Sequence, residues 1–331
     1  MIRGFIAALL ALVCIYGVWR FANGFTSGRI AAQTVLGEPA PHNNRKRPPT
    51  LAMDLAFTAG GDAILLRRQN GSVEKWAIAT ETFEVIAIDM KAFAYCGAGD
   101  LLALSNAQSA RVLNGAEVTA SHPAFTYADW SANCATLAMS ADAWVKTVGP
   151  NNNVSQVYGI PARNGLRLST DGKTIIAATG TYSDENGHDG YILQILNGKP
   201  SPPLREDNAV LGMWRIATGA DGRVFVGSQS DGKSGLRAYD ADGKALWRQE
   251  GFASYWVRGI DQSEQANIVA SGDEHGWLRL WRRDTGEKLG EINTGLVIQA
   301  LAFSPDGDRL AASLWDSTVH VFDVDALLRA R

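Results

Sequence analysis

The feature that most constrains this chain is a turn that keeps returning. Gly-bearing or polar turns fall at Gly60-Gly61-Asp62, Gly97-Ala98-Gly99-Asp100, Ser131-Ala132-Asn133, Thr170-Asp171-Gly172-Lys173, Ala220-Asp221-Gly222, Gln262-Ser263-Glu264 and Ser304-Pro305-Asp306-Gly307. Their spacing, roughly 34 to 50 residues, is the interval of a four-stranded propeller blade. A strand of small and branched residues follows each turn: AILLRR, LLALS, TLAMS, TIIAATG, VFVGS, NIVASG and RLAAS. A further stretch then ends in a large residue: Trp76, Leu113, Val148, Ile195, Tyr239, Trp281 or Phe322. Such a unit cannot bury both of its faces alone, so it needs neighbours on either side. The fold class that follows is all-β: a seven-bladed β-propeller over residues 51–331, preceded by one N-terminal hydrophobic helix.

Composition narrows the function classes. A 46% hydrophobic, 20% charged chain is ordinary globular usage. A net charge of -3 leaves no footprint for nucleic acid, and Arg45-Lys46-Arg47 is the one basic run. Three cysteines exclude a disulfide scaffold, and no Cys-x-x-Cys spacing is present.

Gly4 to Trp19 carries no charge and lies between Met1-Ile2-Arg3 and Arg20. We read residues 1–25 as an uncleaved membrane anchor or signal-anchor helix; a cleaved signal peptide and a buried helix are the alternatives. A short basic head before a large folded body points to an extracytoplasmic, periplasmic propeller on a single-pass protein, although Arg20 and Arg29 oppose that orientation. Residues 26–50 form a linker, Pro-rich over GEPAPHNNRKRPPT, with one strand-like stretch at 30–36.

The blades IVASGDEHGWLRLW and LAFSPDGDRLAASLWDSTVHVFD resemble the WD-repeat family closely, and five worn copies precede them. That resemblance covers residues 51 to 323. It implies an Asp six residues before the third-strand Trp, bonded to a His ahead of the blade. Those positions here carry Asn70, Ala107, Asp142, Asp189, His275 and Asp316, and His122, Ser140 and Asp142 resemble the whole network in the third blade alone. The departures imply blades that rely on packing. The last blade ends at Asp323 without an outer strand, and an open ring exposes sheet edges. Residues 30–36 can supply the strand, as similar propellers lend their first strand to their last blade.

Several motifs tempt a chemical reading. Gly227 to Ser234 satisfies Gly-x-x-x-x-Gly-Lys-Ser in full, but a phosphate loop needs a helix after it, and a short strand follows here. We therefore assign no nucleotide. Asp184, Asn186 and Asp189 could face calcium, but His188 falls where an oxygen ligand belongs. The run Arg237 to Trp247 resembles one repeat of pyrroloquinoline-quinone propellers, and it occurs once. Cys96 and Cys134 share a turn region in adjacent blades, where a disulfide is open to them in an oxidising compartment. No catalytic residue, cofactor or metal is assigned.

What remains is surface. On the face where inner strands begin, the alignment gathers Phe125, Arg163, Met213, Trp214, Tyr255, Trp256 and Arg258, joined by Gln69, Glu274 and Trp315. Aromatics and Arg are what partner hot spots are built from. The expected function is non-enzymatic: a membrane-anchored scaffold docking protein partners in a membrane-associated assembly. The alternative is a propeller enzyme or ligand sensor, quinoprotein-like or lactonase-like, using inner-strand carboxylates such as Asp54, Asp89, Asp129 and Asp261.

Overall fold

The structure is a computed structural model, and it describes residues 32–41, 47–149, 153–159, 165–183, 189–197, 199–200, 204–205, 213–230, 233–253 and 256–329. The described strands form antiparallel sheets in chain order, each a meander from an inner to an outer strand. The expectation of a seven-bladed propeller needs correction: the described residues form six regular four-stranded blades, and the sheet over residues 166–205 departs from that pattern with five strands. There the outer position is split, because Lys199–Pro200 and Leu204–Arg205 both pair with the strand Asp189–Asn197. From Ala92–Cys96 onward inner strands touch their neighbours in sequence, Ala92–Cys96 packs on Ala63–Arg68 of the first sheet, and the first inner strand, Ala52–Phe57, meets the last, Ile298–Phe303. The molecule is an all-β propeller.

Two devices close the ring. Thr34–Leu36 pairs antiparallel with Val319–Asp323, placing Leu36 opposite Val319, and so becomes the outer strand of the last blade. Leu36 is buried among Trp76, Val319 and Val321. The chain then continues as the helix Val324–Arg329, whose first turn is capped by Asp323 through the Ala326 N–H. Val324 and Leu327 bury their side chains against Ile292 of the preceding blade's outer strand.

Small residues in the second strands are a packing requirement. A Cβ on Gly227 would stand 2.7 Å from Val257 Cγ1 of the next blade's inner strand. The phosphate-loop-like sequence is therefore blade wall: Gly227 lies in Val224–Ser230, which pairs in a hairpin with Lys233–Tyr239. Trp247, in the quinoprotein-like run, donates Nε1–H to the Arg283 carbonyl (2.9 Å) and packs across the blade boundary. Cys96 and Cys134 are joined, S–S 2.01 Å, and link the second blade to the third.

Residues 1–31, which carry the expected hydrophobic helix, lie outside the described residues, as does the calcium-like segment 184–188. Among the described residues no helix is long and apolar enough to cross a membrane.

Candidate interaction face

A meander blade gives the propeller two faces. The entry face carries the loops that lead into inner strands and the loops joining second to third strands. The turn face carries the remaining turns. On the entry face, one group of side chains meets where the last two blades adjoin.

Arg258, in the inner strand Val257–Ser263, is its centre. Its guanidinium lies 4.9 Å from the Trp256 ring centroid and 5.4 Å from that of Trp315. Glu274, from the second-to-third-strand loop of the same blade, pairs with it through Oε1. Trp315 donates Nε1–H to Gln299 Oε1 (3.2 Å) and packs on Leu51 and Val297. The Arg258 pKa is lowered, first by burial, with the Arg215 charge adding and the Glu274 carboxylate opposing. A desolvated cation between two indoles and a carboxylate is held far more tightly than a surface arginine.

Next to this group, Arg215 spans the channel mouth. Its Nε–H donates to the Arg258 carbonyl (2.8 Å), its Nη2 to the Met53 carbonyl (3.0 Å), and its Nη1 lies 3.4 Å from Asp54 Oδ1. One side chain thus ties the fifth blade to the sixth and the first. Arg67 holds the other Asp54 oxygen at 2.5 Å. Burial pushes the Asp54 carboxyl up, but Arg67 and Arg215 outweigh it and leave its pKa below the usual value. Arg47 lies within reach of the same field. Its pKa is lowered by burial and by the charges of Arg258 and Arg215, with Glu274 opposing.

The structure brings together four residues expected on this face, Trp256, Arg258, Glu274 and Trp315. Gln69 is exposed there, its N–H bonded to the Leu51 carbonyl at 2.9 Å. Phe125 is corrected: at 3% exposure it sits in the core between the second and third blades. Arg163 and Tyr255 lie outside the described residues, as do the side chains of Met213 and Trp214. Sequence reading missed Arg215, Gln299 and Arg47. Arg215 follows Met213-Trp214 and stands at the same inner-strand start as Arg258, a signal the aromatic neighbours obscured.

The inner-strand carboxylates have structural duties. Asp261 Oδ2 accepts the Phe303 N–H (2.7 Å) and Asp129 Oδ2 the Leu168 N–H (2.9 Å), each from the next blade. Arg167, Thr218 and Gln262 make the same kind of inter-blade bond to the carbonyls of Ile216, Leu168 and Thr218. Asp89 is exposed in the connection between the first two blades.

The internal polar network also differs from expectation. In the third blade it is not assembled, since His122 Nε2 is buried with no hydrogen-bond partner. In the sixth, Trp281 donates to Ser271 Oγ (2.8 Å), and Asp273, not His275, holds the turn. Its Oδ1 accepts the His275 and Trp277 N–H groups, and its Oδ2 pairs with Arg279 at 2.7 Å.

Residues 289–323 match the sequence model of a family described as WD domain, G-beta repeat. Two solved structures share the whole architecture. "Crystal structure of RRP9 WD40 repeats" superposes with a TM-score of 0.68 at 14% identity, covering 88% of this chain and 98% of that one. "Structure of U3-55K" gives 0.65 at 15%, covering 86% and 92%. The fold is that of a WD40-repeat propeller. No curated protein matches the chain in sequence. At these identities the likeness speaks for the WD40 architecture alone. Within it, the repeat matched by sequence is the blade whose Trp315 borders the entry-face group.

Proposed function

We propose that the six regular blades and the five-stranded sheet form one seven-part ring that serves as a non-enzymatic docking scaffold, with its protein partner bound on the entry face around Trp256, Arg258, Glu274 and Trp315. The observation that carries this reading is the arginine held between two indoles beside the channel mouth. Interface hot spots are built from Trp and Arg in desolvated surroundings, ringed by contacts that exclude water. Here the arrangement is already made before a partner arrives, which lowers the ordering cost of binding. Asp129 and Asp261, which a catalytic channel would use, accept inter-blade N–H groups, which weighs against the enzyme alternative.

We further propose that the scaffold is membrane-tethered by residues 1–25, with the ring on the extracytoplasmic side. The Cys96–Cys134 bond supports that compartment, because such bonds persist where the surroundings are oxidising. The strand Thr34–Leu36 runs from the turn face to the entry face, so a tether preceding residue 32 joins at the turn face and leaves the entry face outward.

A photo-crosslinking amino acid at Gln69 or Trp256, with one at Ala98 on the turn face as control, tests the docking face in native membranes. The expected result is one protein crosslinked from both entry-face positions. Crosslinks from Ala98 to the same protein, with none from Gln69 and Trp256, would place docking elsewhere.

A further inference from the structure

The charges inside the channel are unevenly divided along its axis. At the entry-face end, Asp54 faces two guanidiniums, those of Arg67 and Arg215. Nearer the turn face the ratio reverses: the Arg167 charge serves both Asp129 and Asp261. Each of these carboxylates also accepts a backbone N–H, but hydrogen bonds to neutral donors do not cancel a charge. Among the described residues, Asp129 and Asp261 near the turn-face end of the channel thus share the charge of one guanidinium, that of Arg167.

That end opens into a cavity. Its volume is about 410 Å³, within the range of small-ligand sites. Phe57, Ala302 and Phe303 line its apolar wall, Ala98 and Ala132 its rim, and Asp261 faces it. The surrounding turns add Asp62, Asp100 and Asp306, which accept from the Thr58, Tyr95 and Ser304 hydroxyls in turn. Arg309, over the Phe57 ring at 5.6 Å, and Lys75, whose charge reaches Asp62, are cations at this edge. A low-dielectric cleft lined by one sign of charge concentrates the opposite ion.

We infer that this cavity binds an organic cation, a primary ammonium or guanidinium on an apolar stem, with Asp261 as its counter-ion. The apolar wall takes the stem, the carboxylate takes the head, and the bound charge restores the balance that Arg167 alone leaves incomplete. Burial pushes the Asp261 carboxyl up to about 6, Asp129 adds to this, and Arg167 and the N–H groups of Phe303 and Gln262 oppose it. A bound ammonium therefore returns this group towards its ordinary acidity. The site is distinct from the entry-face group, and it does not depend on the docking proposal.

Calorimetry on the full chain in detergent tests it with n-hexylamine, n-hexanol and a capped pentapeptide bearing one central lysine. At about pH 7.5 the amine should bind one site per chain about tenfold more tightly than the alcohol, a preference that shrinks at about pH 5 as Asp261 takes up a proton. Binding of the amine without the peptide identifies a small free amine as the ligand class; peptide binding as tight or tighter identifies a lysine side chain presented by a protein. Asp261→Asn keeps an oxygen acceptor for the Phe303 N–H and should erase the preference while leaving hexanol affinity unchanged. Ala98→Trp, an exposed rim substitution, should block both ligands without moving Tm. Equal affinity of amine and alcohol, a preference surviving Asp261→Asn, no saturable binding at all, or binding retained in Ala98→Trp would each overturn the inference.

Discussion

Two arcs of this ring solve one problem with different chemistry. Between the second and third blades the inter-blade link is covalent, Cys96–Cys134. The polar network of that third blade is unassembled, and its outer strand exposes Val154 and Val157. In the sixth blade and its neighbours the links are polar and buried. Asp273, 1% exposed, pairs with Arg279, Trp281 bonds Ser271, and Arg283 reaches Asp221 of the fifth blade at 2.5 Å. The polar arc depends on every partner being present, whereas the covalent arc adds the disulfide to a shared apolar core and to bonds such as Trp130 Nε1–H to the Ala94 carbonyl. The face proposed for docking belongs to the polar arc, where the arginines stand already desolvated and fixed.

The largest expected effect comes from breaking the covalent link. Cys96→Ser with Cys134→Ser opens a loop with a sequence separation of 38. Loop-closure entropy puts the cost at about 4 kcal/mol, read as a fall in denaturation midpoint that a reducing agent reproduces in the parent protein. Insensitivity of the parent to reductant would remove the comparison's first half. On the polar arc, Arg279→Ala leaves Asp273 buried without its cation and should cost about 3 kcal/mol, with no response to reductant.

Asp261→Asn should act in the opposite direction. Its folded pKa, about 6, stands above the ordinary 3.8, so the stabilising form is the protonated one. That stability is complete below about pH 4 and is lost as pH rises through about 6. The asparagine variant, neutral throughout, should match the parent at about pH 4 and exceed it by up to about 3 kcal/mol at about pH 7.5. A gain independent of pH would contradict the assigned burial. The smallest effect is expected for Ser271→Ala, which removes the hydroxyl that accepts the Trp281 Nε1–H and should cost about 1 kcal/mol in chemical denaturation.

The contrast between the arcs also marks what could be read from residues alone. Propeller architecture was legible because turns recur and each is followed by a strand of small residues, and Gly227 against Val257 shows why those residues are small. The regularity of the fifth-strand departure at 166–205 was not, because a split outer strand leaves no periodic signal. Arg258, Trp256, Glu274 and Trp315 could be placed on one face by loop position. Their mutual contact could not, since it depends on how two blades meet. Phe125 was misplaced because a loop aromatic and a core aromatic look alike until its neighbours Ala128 and Met139 close over it. Asp273 was passed over for His275 because alignment by spacing is two residues too coarse at a tight turn.

Trp315 is 6% exposed and supports the core around Leu51, so its removal would confound docking with stability. Trp256 and Arg47 are half-buried and serve better. The most direct measurement is the affinity of the crosslinked partner for the purified full chain, compared among the parent, Trp256→Ala with Arg47→Glu, and the turn-face variant Ala98→Trp. The expected result is a loss of about a hundredfold in the first variant, in keeping with two hot-spot positions, and no change in affinity or Tm in the second. Undiminished affinity in Trp256→Ala with Arg47→Glu would contradict it.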